Sequence, residues 1–219
     1  MSRTLPLFPL RLVLFPDATV PLHIFEPRYR QMLHDCLATD RRFGLILAPD
    51  EPEEPLDGGR VGCIARVESV DPLGDGRSNI LVVGEARFAV DRLSDIDTPY
   101  LVAAVTLVDD LPEEPAANQP LADAVRARFE RAARAARVLG NDQAPIPELA
   151  GDPATLAFHV AALVDFDLDE RQALLASRSP RERLLRVQAL LDAALPSLES
   201  RAALHRRART NGHGPHGDA

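Results

Sequence analysis

The sequence predicts an α+β chain in which a small closed sheet or barrel of about six strands, with one short helix, is followed by a C-terminal helical bundle. Three observations carry this. Apolar residues alternate with period two in short runs before residue 110, and beyond it the spacing becomes 3.6. A Pro- and acid-rich segment, "VDDLPEEPAANQP" at 108–120, separates the two regimes. The expected parts are 1–112 for the strands, 119–205 for the bundle and 206–219 for a disordered tail, since "TNGHGPHGDA" offers only its final Ala to tie it down.

Taken in order, "TLPLFPL" and "ATVPLHIF" are apolar runs punctuated by Pro, which cannot donate to a ladder and is confined to edges, bulges and strand starts. An irregular sheet with an edge open to an added strand is expected here. Pro27 has the fixed φ that suits a first helical position, and Tyr29, Met32, Leu33, Cys36 and Leu37 then fall on one stripe. "FGLILAP" is the next strand, and the acidic "DEPEEPLDGG" after it reads as an exposed loop. In "RVGCIARVESV", Val61, Cys63, Ala65 and Val67 alternate with Gly62, Ile64, Arg66 and Glu68. Asp71-Pro72 and Asp75-Gly76 supply a turn, and "NILVVGEARFAV" returns with Ile80, Val82, Gly84, Ala86, Phe88 and Val90 on one face. "YLVAAVTLV" completes the strands.

Beyond the hinge, Leu121, Val125, Phe129, Ala132, Ala136 and Leu139 step along one helix and leave Arg126, Arg134 and Arg137 outside. A second helix starts at Asp152-Pro153 and carries Leu156, Val160, Leu163 and Val164. A third follows Asp167, and a fourth opens on Ser179-Pro180-Arg181-Glu182, a capping box, with Leu184, Val187, Leu191 and Leu198 as its stripe and Pro196 as a kink or new turn.

Composition narrows the chemistry. All 25 basic side chains of the 219 residues are arginine. With no lysine, the chain holds no Walker-type phosphate loop, no Schiff-base amine and no Ser-Lys hydrolase. The net charge of −8 is uneven: residues 1–119 carry −9 and residues 120–219 carry +1, so phosphate backbones are repelled by the first half. Cys36 and Cys63 sit in apolar patterns like small buried hydrophobes, which fits a reducing cytoplasm. Neither a signal peptide nor a membrane span is expected, because Pro6, Pro9, Arg11 and Pro16 interrupt the apolar N-terminus.

"PLHIFEPRYRQML" at 21–33 concentrates titratable groups. His23 and Glu26 are spaced H-x-x-E, short of the zincin H-E-x-x-H, and Pro27 puts His23 on the strand before the helix. Glu26 and Arg30, four apart with Arg28 between them, read as an ion pair locking the strand-to-helix turn. No G-x-S-x-G elbow and no Gly-rich fingerprint is present, and no catalytic, metal or cofactor site is expected. The tail's "HGPH", with His213 and His216, is too weak a pair for a metal site. The "HRRAR" run at 205–209 reads as a solvated helix end, with contact to an acidic partner as its alternative.

These residues carry a resemblance. "LPLFPLRLVLFPDATVPLHIFEPRYRQMLHDCL" at 5–37 closely resembles the opening of the Lon protease N-terminal, substrate-binding domain. Its structural signature falls on Pro9, Phe15, Pro16, His23, Glu26, Pro27, Arg28 and Tyr29. The likeness continues in "RFGLIL", "VGCIARVESV", "GEARFAV" and "YLVAAVTLVDD", and in the helical "LDERQALLASRSPRERLLRVQALL", covering about 4–195. Asp17 departs from it, standing where Gly usually follows L-F-P, as does Cys63 in place of a common Thr.

The resemblance implies a PUA-like β-barrel with a helical bundle and a stand-alone, non-enzymatic protein lacking the family's ATPase and peptidase parts. It also implies recognition of unfolded or exposed protein segments, as an adaptor or regulator of proteolysis with a protease or chaperone as partner. The binding surface it implies is an apolar patch on the barrel or a cleft between barrel and bundle. RNA binding is the alternative, since PUA-like barrels elsewhere bind RNA, and the −9 charge of the first half argues against it. A small hydrolase using His23 and Glu26 is a third reading.

Overall fold

A computed structural model describes residues 3–49, 56, 58–149 and 151–211. The strands are β1 Arg3–Leu10, β2 Thr19–Ile24, β3 Arg42–Leu47, β4 Val61–Pro72, β5 Ser78–Leu93 and β6 Leu101–Leu107. The helices are α1 Pro27–Leu37, α2 Pro115–Gly140, α3 Pro153–Leu163, α4 Leu168–Ala176 and α5 Pro180–Asn211. The fold is thus mixed, with one six-stranded sheet and five helices among the described residues.

The chain divides into two compact units, Met1–Pro112 with Ala161–Ser179 and Glu113–Val160 with Pro180–Ala219. The boundaries differ from a simple strands-then-bundle split, because Ala161–Ser179, though largely helical, groups with the sheet. The hinge is also shorter than its composition suggests. Helix α2 begins at Pro115, where a missing N–H costs nothing, and runs through Pro120. Likewise α5 continues past Pro196 to Asn211, so the helix occupies the first residues of the expected tail. The rest of that tail, 212–219, and most of the acidic loop, 50–55 and 57, lie outside the described residues.

In the first unit the strands pair in the order β2-β5-β4-β3-β1-β6, and β6 also pairs with β5, so the ladder returns on itself. Among the described residues only β1 and β3 run parallel. The β5–β6 return carries a register shift between Val90 and Arg92, a bulge of the kind that bends a strand enough for closure. One core is formed by Leu5, Leu7, Ile46, Ile64, Phe88, Val90, Ala103 and Val105, with Leu56 packed against it. Phe88 dominates it so tightly that a Cβ on either Gly44 or Gly62 would lie 2.6 Å from its Cζ. A second apolar layer packs Tyr29 of α1 against Phe8 at a tilt of 40°, centroids 4.2 Å apart, with Phe43 beyond.

Arg42 on β3 and Arg66 on β4 stand directly opposite each other, a repulsive placement for like charges. Glu85 of β5 resolves it. Arg42 donates to it through Nε (2.6 Å) and Nη2 (3.0 Å), and Arg66 Nε lies 3.0 Å from its Oε1. The Arg42 hydrogen bonds above all, then the charges of both arginines, hold the Glu85 carboxyl below the usual carboxylate range. A carboxyl with a lowered folded value stabilises the fold above its unfolded value and loses that contribution as pH falls through the folded one. Denaturant unfolding followed from pH 7 towards pH 3 should therefore show a decline beginning near pH 4.5. Glu85→Gln should cost about 1 kcal/mol at neutral pH and flatten that decline. An unchanged acid limb would remove the triad from the account.

The second unit packs α2 against α5. The buried residues of α2 are Asn118, Ala122, Val125, Phe129 and Ala135, so the stripe reaches the core at Ala135 where the spacing predicts Ala136. Leu184, Val187, Leu191, Leu195 and Ala202 face it from α5. Asn141 closes α2 in the left-handed region at φ 51, a conformation Asn tolerates. Within α3, Leu156 and Val160 are buried as their spacing predicts, whereas Leu163 is 54% exposed.

Candidate functional site

The strand-to-helix corner at 19–30 begins with β2, which among the described residues pairs with β5 alone. Gly84 N–H donates to the Ala18 carbonyl (2.9 Å), and main-chain groups alternate sides along an antiparallel strand. Val20, Leu22 and Ile24 therefore point theirs at β5, and Thr19, Pro21 and His23 point theirs away. Proline explains itself in this register: the N–H that Pro21 lacks would face outward, where no ladder needs it. The free edge thus offers donors at Thr19 and His23 and acceptors at all three residues.

The side chains of Thr19, Pro21 and His23 are exposed, and Ile24 is buried. His23 Nδ1 lies 2.8 Å from Oδ1 of Asn79, its cross-strand neighbour. Its ring stacks on Phe25 at 5.8 Å and 23°. Phe25 is itself 57% exposed, a large apolar ring standing beside an unpaired edge. A further exposed apolar group, Leu93, Ile96 and Leu101, lies at the β5–β6 loop, which is tied to α1 by the Tyr100 hydroxyl donating to Asp35 (2.8 Å).

At the corner, Glu26 takes the N-cap position with extended backbone, and its carbonyl accepts from the N–H groups of Tyr29 and Arg30. Its carboxylate does not cap the helix, and it is not paired with Arg30, although the spacing suggests that pair. Arg28 reaches back to it instead (Nη2–Oε2 2.8 Å) while lying over the Tyr29 ring. Arg30 covers the β4–β5 turn at Gly76, where φ is +81. Burial raises the Tyr29 hydroxyl above its ordinary range.

The signature residues are thus divided by role. Phe15 and Tyr29 are core, Pro9 pairs with Ile46 across β1 and β3, and Pro16 precedes Asp17, which holds φ 61 in the left-handed region that favours Gly. Pro27 is the first helical residue, His23 is exposed against Asn79, and the exposed Arg28 pairs with the half-buried Glu26. Among the described residues His23 and Glu26 share no hydrogen bond. Both thiols are buried, and burial pushes Cys36 and Cys63 up to about 12, so neither is a thiolate at neutral pH. Among the described residues no group of three or more His, Cys, Asp or Glu is placed to hold a metal ion, and no helix is long and apolar enough to cross a membrane. Asn79 and the exposure of Phe25 had no local signal. Asn79 meets His23 only through the β2–β5 register, although the His23/Phe25 spacing of two does place both on one face.

A family model described as the ATP-dependent protease La (LON) substrate-binding domain matches residues 4–193. Lon protease 1 of Thermus thermophilus is 31% identical over 194 residues, and Lon protease of Rhizobium meliloti 26% over 212 residues. These alignments take in 85% and 95% of the chain but 24% and 26% of the relatives, so the chain spans about a quarter of their length. Among solved structures, a Lon N-terminal domain protein from Xanthomonas campestris matches with a TM-score of 0.60 and 28% identity, over 85% of this chain and 98% of that one. The N-terminal domain of Mycobacterium avium complex Lon protease shares the fold, with a TM-score of 0.64 at 18% identity over 87% of this chain and 98% of that one.

Proposed function

Because the chain belongs to the family of ATP-dependent protease La (LON) substrate-binding domains, we propose that it is a non-catalytic protein-recognition module that takes exposed, extended segments of other proteins. The observation that carries this reading is the β2 edge, unpaired among the described residues, with outward main-chain groups at Thr19, Pro21 and His23 and the exposed Phe25 beside it. A client strand laid on that edge gains main-chain hydrogen bonds from any sequence, and an apolar client side chain can cover Phe25. Such recognition is indifferent to client identity, which suits unfolded chains. The returning ladder is read as a PUA-like barrel, the frame that holds β2 out as its appended strand. The strong negative charge of the first half favours basic or neutral clients. In a cell the module would act as an adaptor or regulator of proteolysis.

The test is a titration of a fluorescently labelled, reduced and alkylated unfolded protein with the full chain. Saturation at tens of micromolar or tighter, equivalent to about 6 kcal/mol or more, is expected. His23→Pro removes an outward donor without touching the β5 ladder, and Phe25→Ala removes the ring. Each should weaken binding about tenfold while leaving the fold intact. Absence of saturation in that range sinks the recognition reading. Binding that neither variant disturbs moves recognition away from β2.

A further inference from the structure

In the second unit, α2 and α5 line a hollow of about 440 Å³ along their seam, whose rim is Arg131, Arg134, Arg137 and Arg206 against a single acid, Glu199. It continues into a second hollow of about 440 Å³ that shares Arg137, Val138 and Arg206 and adds His205 and one further acid, Asp142. The floor is apolar: Ala135 and Ala202 are buried, and Val138 and Ile146 complete it. This is an unusual concentration of one sign in a chain whose net charge is −8.

Glu199 is already committed, accepting from Arg131 Nε (3.0 Å) and Nη2 (3.1 Å). Arg134 has a long contact to Glu130, at 3.4 Å. Arg137 is half-buried and, among the described residues, its side chain makes no ion pair. The C-terminal dipole of α2 favours one cation in its last turn, which accounts for Arg137 alone and not for four guanidinium groups around one apolar floor. A half-buried guanidinium without a carboxylate carries a desolvation cost that an incoming acid would offset.

The geometry points to a docking furrow for an acidic, amphipathic helical segment of a partner protein. Arg131, Arg134 and Arg137 recur every three residues of α2, about 4.5 Å apart along the axis. Carboxylates three or four residues apart on a facing helix have the same spacing, and that helix's apolar stripe would cover the part-exposed Val138 and Ile146. A phosphate polymer matches the charge but has nothing to lay on the floor, and among the described residues no Phe, Tyr or Trp lines the furrow to stack a base. This surface is separate from the β2 edge and does not rest on its reading. The "HRRAR" run at 205–209 acquires a purpose here, since α5 sets Arg206 beside the α2 ridge.

The experiment titrates the full chain with a helical peptide of about 20 residues carrying Leu at i, i+3, i+4 and i+7 with flanking Glu. A Gln-for-Glu version, a Lys-for-Glu version and inorganic polyphosphate serve as comparisons. The Glu peptide should bind at least tenfold tighter than the Gln peptide and weaken as salt rises. Arg134→Glu with Arg137→Glu should cost at least tenfold, transfer preference to the Lys peptide and leave binding of the unfolded protein unchanged. If that double variant melts early, Arg137→Gln alone decides, with an expected loss of at least threefold. Equal affinity for Glu and Gln peptides, or indifference to the arginine variants, overturns the proposal. So does polyphosphate that binds tighter than the Glu peptide and displaces it.

Discussion

Arg87→Ala should lower the unfolding free energy by about 3–5 kcal/mol, a large part of the ~5–15 kcal/mol that holds a typical domain together. The Arg87 residue is 5% exposed. One guanidinium nitrogen donates to the carbonyls of Leu175 (2.9 Å) and Ser177 (2.6 Å) at the end of α4, and the other meets the Asp110 carboxylate. Truncation would take this donor from a half-buried carboxylate and two carbonyls, and a buried acceptor left unmet costs more than a made hydrogen bond contributes. Arg87→Lys should recover only part of the loss, because a single ammonium nitrogen cannot stand at both positions from which the two guanidinium nitrogens reach these acceptors. Urea unfolding at constant slope gives the number, and a loss below about 1 kcal/mol would show that water replaces the arginine without strain.

Gly84→Ala should be comparably severe for a steric reason. A Cβ built on Gly84 lies 2.1 Å from the Phe15 carbonyl oxygen and 2.9 Å from its carbon, both main-chain atoms that cannot rotate away. The same glycine accepts from Asp17 N–H and donates to the Ala18 carbonyl, each at 2.9 Å. Relieving the clash therefore opens the turn that carries the chain into β2. A loss of about 3 kcal/mol or failure to accumulate is expected. Gly74→Ala, with nothing within 4 Å of the added carbon, should be silent in the same assay. If both variants melt together, the Phe15 turn is more pliable than its packing implies.

What could be read from the residues was whatever has a local cause. Alternation placed the strands, Pro27 opened α1, and the switch to helical spacing divided the chain near its middle. The features that escaped depend on distant partners. Arg87 sits on a strand face where alternation predicts solvent, and its burial comes from carbonyls about ninety residues away. The pairing of β5 with β6 that closes the ladder needs a bulge between Val90 and Arg92, a register event with no composition of its own. The Pro-rich run at 108–120 looked like a hinge because Pro ends helices, yet Pro115 stands where a helix can begin, and α2 runs on through Pro120. The corner at 21–33 was legible as strand, cap and helix. Its charge pairing was not, because Arg28 folds back over Tyr29 and reaches Glu26 before Arg30 can.

The interleaving of the two units bears on how the chain is made. Ribosomes release residues in order, so after Pro112 emerges, 67 more must follow before Ser179 does. At ~5–20 residues per second that is an interval of roughly 3–13 s. Throughout it the six strands are available to pair, while Arg87 has no Leu175 or Ser177 carbonyl to receive it and Val61 no Gln172 amide. A nascent chain spends those seconds as an unfinished sheet, open to the same kind of strand pairing that the finished protein is proposed to offer others.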